Sequence, residues 1–212
     1  MIKLDSVPLI ICLIIISAIG FRKPQPQWLR ICFYLLLFMF LIDMGASLYS
    51  GYFHKSNHFI INLSLPVIFF SYFLLFYKTF ETQGSKNMVL GSMIIYSLVF
   101  LTDLIFINGL YFFNIYSYCA ASVLIMVCCL ISFVALFTAD DLLNYFRIPM
   151  FWISTGLLFF YAGNLVQYSL MWYIIENKLG DLYNIINTLL NTILFGGFTI
   201  SFLCNYSWKK AS

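Results

Sequence analysis

Charge is what this chain has least of. Only 9% of its 212 residues are Asp, Glu, Lys or Arg, where a water-soluble domain carries about a quarter. The material for a water-facing surface is missing, which excludes an ordinary soluble fold. Eleven basic against eight acidic residues leave a net charge of +3, too small and too dispersed to track a phosphate backbone, so nucleic acid is excluded as a partner. Histidine is nearly absent as well. His54 and His58 are four apart beside one turn, and share a helical face for a proton or a metal only if the helix that follows starts early. The six cysteines, Cys12, Cys32, Cys119, Cys128, Cys129 and Cys204, form no C-x-x-C pair, and read as small apolar packing residues rather than metal ligands or a disulfide framework. Neither H-E-x-x-H nor G-x-S-x-G occurs, which leaves metalloprotease and serine-hydrolase chemistry without residues. A retinal Schiff base needs a lysine in the last apolar run, and 183–206 has none. No cofactor, no metal and no enzymatic activity is therefore expected. Acid–base work by a pair of embedded carboxylates is the one catalytic alternative left standing.

What the chain has is apolar length. Hydrophobic residues make up 63% of it and aromatic residues 20%. A hydrocarbon core about 30 Å thick takes about 20 helical residues at a rise of 1.5 Å. Runs near that length, bounded by charge or turn residues, fall at 7–21, 28–50, 58–77, 88–107, 111–137, 150–173 and 183–206. They predict an all-α polytopic membrane protein, a seven-transmembrane-helix bundle forming one domain over 1–212. The run at 7–21 is short; it is either extended by residues 3–6 or set in thinned bilayer. Arg22-Lys23 and two prolines stand where a signal peptide would need small residues for cleavage, which favours a retained helix. Ten-residue alternating segments, the mark of a membrane barrel, do not appear. The connections are short, and none holds a soluble module. Internal repeats, the usual sign of a transporter, are not evident.

Basic residues set the orientation, because positive charge stays on the cytoplasmic side. Arg22, Lys23, Arg30, Lys78, Lys86, Arg147, Lys209 and Lys210 fall on one side; Lys3, Lys55 and Lys178 fall on the other. The expected location is an inner membrane, with the N-terminus outside and the C-terminus in the cytoplasm.

That orientation groups the polar side chains of the spans. Asp43 and Asp103 each lie about 22 Å from the cytoplasmic start of their helices, beyond the midplane. Asn164 and Gln167 share a face of the sixth helix, and Asn187 and Asn191 share a face of the seventh. Asn62 and Ser64 on the third helix, and Asn114 and Ser117 on the fifth, lie near the same end. An aspartate at the centre of a span costs about 2.5–3.5 kcal/mol, so such groups normally face a polar interior or a water-filled cavity. One expectation is a single recess open to the outer face, lined by Asp43, Asn62, Asp103, Asn164, Gln167, Asn187 and Asn191, with Tyr116, Tyr118, Tyr161 and Tyr168 as stacking surface. The other is that the amides are interhelical glue worth about 0.6 kcal/mol each, with the aspartates bonded across helices. Gly156, Gly163, Gly196 and Gly197 allow close helix approach or a kink, packing being the plainer reading over a moving hinge, and Pro66 deprives the third helix of one backbone donor and should bend it.

Three stretches carry a resemblance: Asn57-His58-Phe59-Ile60-Ile61-Asn62-Leu63; Phe151-Trp152-Ile153-Ser154-Thr155-Gly156-Leu157-Leu158 with Tyr161-Ala162-Gly163-Asn164; and Asn187 to Asn191 leading into Gly196-Gly197-Phe198. They resemble a group of small seven-helix membrane proteins from Bacteroidetes-type bacteria. The resemblance implies association with histidine-kinase signalling and carries over no catalytic residue. Pro24-Gln25 and Pro26-Gln27 are similar to the signature of small seven-span sugar transporters, but the fifth helix lacks the proline that a second half would repeat. The function expected is a receptor-like protein that binds a small molecule at its outer face and signals to a cytoplasmic partner, a histidine kinase or another membrane subunit, while its helices meet membrane lipids. Asp140, Asp141 and Arg147 are candidate contact points, with a solvated loop as the plainer reading. A transporter or channel, or a structural subunit of a larger complex, is the alternative.

Overall fold

A computed structural model describes residues 7–20, 26–138 and 145–211, and every regular element among them is helical. The elements are α1 (Val7–Gly20), α2 (Gln27–Phe53), α3 (His58–Thr79), α4 (Gln83–Thr102) running into a π-helical turn (Asp103–Ile107), α5 (Ile115–Phe137), a 3₁₀ turn (Tyr145–Arg147), α6 (Pro149–Ser169), the short α7 (Met171–Glu176) and α8 (Gly180–Ala211). Arg22, Lys23, Asp140 and Asp141 lie outside the described residues.

Among the described residues, six helices are long and apolar enough to cross a membrane: α2, α3, α4 with its π turn, α5, α6 and α8 up to Cys204. The seventh expected crossing is α1, whose 14 described residues rise about 21 Å, against a hydrocarbon core of about 30 Å. Several boundaries also need correction: α4 begins at Gln83 rather than 88, and α8 spans Gly180–Ala211 rather than 183–206. The fifth helix begins at Ile115 rather than 111, because the backbone preceding it is held against α3. The run at 150–173 breaks at Leu170, where φ −94° and ψ 6° end α6 and a separate short helix follows.

The chain forms two compact units, Gln27–Ile125 and Met126–Ser212 together with Met1–Pro26. In the first, α3 packs against both α2 and α4, and its Phe69, Tyr72, Phe73 and Phe76 are fully buried. The ring of Tyr96 on α4 lies 5.3 Å from that of Phe69 and 6.2 Å from that of Phe73, an aromatic cluster that fixes α4 on α3. In the second, α8 packs against α6 and α1. Leu9, Cys12 and Ile16 are the buried stripe of α1, at helical spacing. Lipid tails are as apolar as leucine, so close backbone approach matters more than area. A Cβ on Gly197 would stand 2.6 Å from the Trp152 carbonyl oxygen and 3.3 Å from the Gly156 Cα. Gly163 is filled by the Leu190 side chain, whereas a Cβ on Gly196 would meet nothing within 4 Å. Packing is thus what Gly156, Gly163 and Gly197 provide.

Candidate functional site

The Gln27–Ile125 unit gathers four fully buried polar residues, Asn62, Asp103, Asn114 and Ser117, in one knot at the link between α4 and α5. The π turn closes with the Asn108 amide N–H donating to the Asp103 carbonyl over 2.9 Å, and Asn108 Nδ2 donates to Asp103 Oδ1 over 2.7 Å. Gly109 follows at φ +65°, a left-handed conformation that glycine adopts without a Cβ clash. The other carboxyl oxygen, Oδ2, accepts from the Ser117 amide N–H over 2.8 Å and from Ser117 Oγ over 2.6 Å. Ser117 is in the first turn of α5, so Asp103 caps a helix from another element, supplying an acceptor where backbone donors have no helical partner. Asn62 on α3 pins the same link. Its Nδ2 donates to the carbonyls of Leu110 and Phe112 over 3.0 and 2.6 Å, and its Oδ1 accepts from the Asn114 amide N–H over 3.1 Å. Both side chains are fully buried and bonded on every polar atom, so they act as struts of the fold.

Asp43 behaves otherwise. It is exposed although Leu36 and Ala46 on the same face of α2 are buried. It lies ten residues before the end of α2, about 15 Å along the axis.

The Met126–Ser212 unit holds the third group, between α6 and α8. Gly156 against Leu194 and Gly163 against Leu190 fix an antiparallel register, continued by Gln167 Nε2 donating to the Tyr183 carbonyl over 3.3 Å. Asn187 falls between the last two of these contacts. At 3.6 residues per turn it shares a stripe with Tyr183, Leu190 and Leu194, facing α6 at the level of Asn164 and Gln167. Asn164 Nδ2 returns to the Phe160 carbonyl of its own helix over 2.9 Å. Gln167 is 3% exposed and its Oε1 has no partner, and a buried acceptor left empty costs about 1–3 kcal/mol. Asn187 and Asn191, both half-buried, make no side-chain hydrogen bond among the described residues. Two turns deeper the backbones meet at Gly156 and Gly197. The seam is closed at its glycine end and keeps unused hydrogen-bonding capacity at its carboxamide end.

Of the seven residues expected to line a recess, the structure joins Asn62 with Asp103 through the α4–α5 link, and Asn164, Gln167 and Asn187 through the α6–α8 seam, with Asn191 one turn along. Asn108 was missed, because only the π turn brings it back to Asp103. His58 contributes a buried Nδ1 without a partner and a ring 6.4 Å from that of Phe113. No group of three or more His, Cys, Asp or Glu positioned for a metal occurs among the described residues. No protein-family model, no curated protein and no solved structure matches the chain.

Proposed function

We propose that this is a receptor-like protein of an inner membrane that takes a small polar ligand between the outer ends of α6 and α8 and signals to a cytoplasmic partner. In this reading α1 completes a seven-helix bundle, the N-terminus is outside, and the partner is of the histidine-kinase class. The observation that carries the reading is the unpaired, buried Gln167 Oε1 facing the level of Asn187. An empty acceptor beside a carboxamide with two donors and an acceptor to spare is a place for a ligand with hydrogen-bonding groups of its own. The glycine contact deeper in the seam favours binding over passage, since it leaves no space between the two backbones there. Transmission has a physical carrier: α8 is one continuous helix of 32 residues, about 48 Å long, so a shift at Asn187 displaces its cytoplasmic end.

The test is purification from native membranes into nanodiscs, followed by mass spectrometry of retained small molecules. A molecule held by the wild type and lost from Gln167→Leu and Asn187→Leu is the expected result. Equal retention by all three proteins would overturn the site. Flux of that molecule into proteoliposomes would make the protein a transporter. Cysteines placed by Lys55→Cys and Lys178→Cys should label from intact cells before those placed by Lys86→Cys and Arg147→Cys, and the reverse order would invert the orientation.

A further inference from the structure

The helices around the α6–α8 seam carry no charge. No Asp, Glu, Lys, Arg or His occurs in α6, in α1, in 126–137 of α5 or in α8 from Leu182 to Cys204. Next to the carboxamide end the charged residues are Glu176, Lys178 and Asp181, all exposed, where water screens them. An ion drawn into the seam would lose its hydration and find no counter-charge. A ligand seated there is therefore uncharged.

Counting valences narrows the class further. The Tyr183 carbonyl that accepts from Gln167 Nε2 points along α8 toward the Asn187 amide N–H one turn on, which sets the Gln167 carboxamide beside Asn187. There Gln167 Oε1, buried and without a partner, needs a donor, and the half-buried Asn187 offers one of its own. The next turns inward are apolar: Leu190 fills the space at Gly163 and Leu194 backs Gly156, and both leucines are buried. Such a seam satisfies one donor and one acceptor and little else. A polyol would leave most of its hydroxyls against leucine, each an unmade bond. An ester or a ketone has no hydrogen to give Oε1. An amide has one group of each kind, on separate atoms that can meet two side chains.

We propose that the α6–α8 site takes an uncharged, mainly apolar molecule bearing one amide group, whose N–H donates to Gln167 Oε1 and whose carbonyl accepts from Asn187 Nδ2. Its apolar body lies along Leu190, on the side where the seam offers no polar partner. An amide ligand presupposes the site proposed for α6 and α8, and the experiment separates the failure of one from the failure of the other.

The experiment follows thermal unfolding of the full chain in phosphatidylcholine nanodiscs with hexanamide, hexanoate, hexylammonium, methyl hexanoate or sorbitol. Hexanamide alone should raise the midpoint saturably by about 3 °C, the scale expected when a ligand binds only the folded state. The rise should vanish in Gln167→Leu and in Asn187→Leu. A saturable rise with any of the other four probes, lost in Gln167→Leu, overturns the amide class and keeps the site. A hexanamide rise that persists in both variants is partitioning into lipid and overturns the proposal. No saturable rise with any probe overturns the amide class, while retention of a native molecule by the wild type alone would still uphold the site. Should both variants fail to fold, N,N-dimethylhexanamide decides in the wild type, because it keeps the carbonyl and lacks the N–H. Half-saturation shifted by less than about tenfold from that of hexanamide overturns the assignment, and a larger shift or no rise upholds it.

Discussion

The α4–α5 link and the α6–α8 seam are built from the same few residue types and use them in opposite ways. At the link, Asp103, Asn108, Asn62 and Ser117 turn their polar atoms on one another and on backbone, and both Asp103 oxygens are bonded, while the buried side chain of Asn114 keeps both its polar atoms unpaired. At the seam, the backbones are fitted by glycine, while Gln167 Oε1 and the amides of Asn187 and Asn191 remain unbonded. A polar side chain within a span therefore has no fixed meaning. Where irregular backbone must be satisfied away from water, it is consumed as structure; where two regular helices already satisfy their own backbones, it is left for something else.

The sharpest way to break that contrast is Asp103→Ala. It strands the Ser117 amide and Asn108 Nδ2 and leaves the Ser117 hydroxyl only the Asn114 carbonyl at 3.2 Å, and should cost about 3 kcal/mol, more than an ordinary cap. Denaturant unfolding in nanodiscs reads it, and a loss under about 1 kcal/mol would mean that the knot is not structural. Next is Gly197→Ala, which sets a Cβ 2.6 Å from the Trp152 carbonyl oxygen. Backbone gives way less readily than a side chain, so forcing α6 and α8 apart should cost about 3 kcal/mol. Gly196→Ala, with open space around it, should unfold like the wild type. Asn62→Ala removes two bonds to the 110–112 carbonyls and one from Asn114, and should cost about 2 kcal/mol because water reaches part of the freed loop.

Much of this architecture is legible in the sequence because span length is a one-dimensional property: runs of apolar residues bounded by charge are visible without any neighbour. The six long helices were legible for that reason, and so was the packing role of Gly156 and Gly197. The start of α5 was not, because it depends on Asn62, more than forty residues earlier in the chain, holding the link. Asn114 stands in the position before Ile115 that asparagine favours, but its buried side chain makes no capping bond, its two polar atoms being unpaired. Asp103 is expected from the sequence in the lining of a recess, with bonding across helices as the alternative, and its bonds are of the second kind. Its company is Ser117 and Asn108, and a π turn has no periodicity to announce it. Asp43 carried the same sequence signal as Asp103, and only the opposite exposure of the two separates them.

The smallest expected effect tests the other half of the contrast. Asn187→Leu removes an amide that makes no hydrogen bond among the described residues and puts an apolar side chain on a stripe already carrying Leu190 and Leu194. With no bond to lose and some apolar contact to gain, unliganded stability should change by less than about 0.5 kcal/mol, in either direction. The same substitution should remove a ligand that the wild type retains. These outcomes pull apart because a strut and a ligand-binding amide differ in when their hydrogen bonds form. The Asn62 bonds exist in the folded chain and their loss appears in unfolding alone; those of Asn187 form only when a ligand arrives and appear in binding alone. If Asn187→Leu unfolds as easily as Asn62→Ala, the amide on α8 holds the helices together, and the distinction between the two regions disappears.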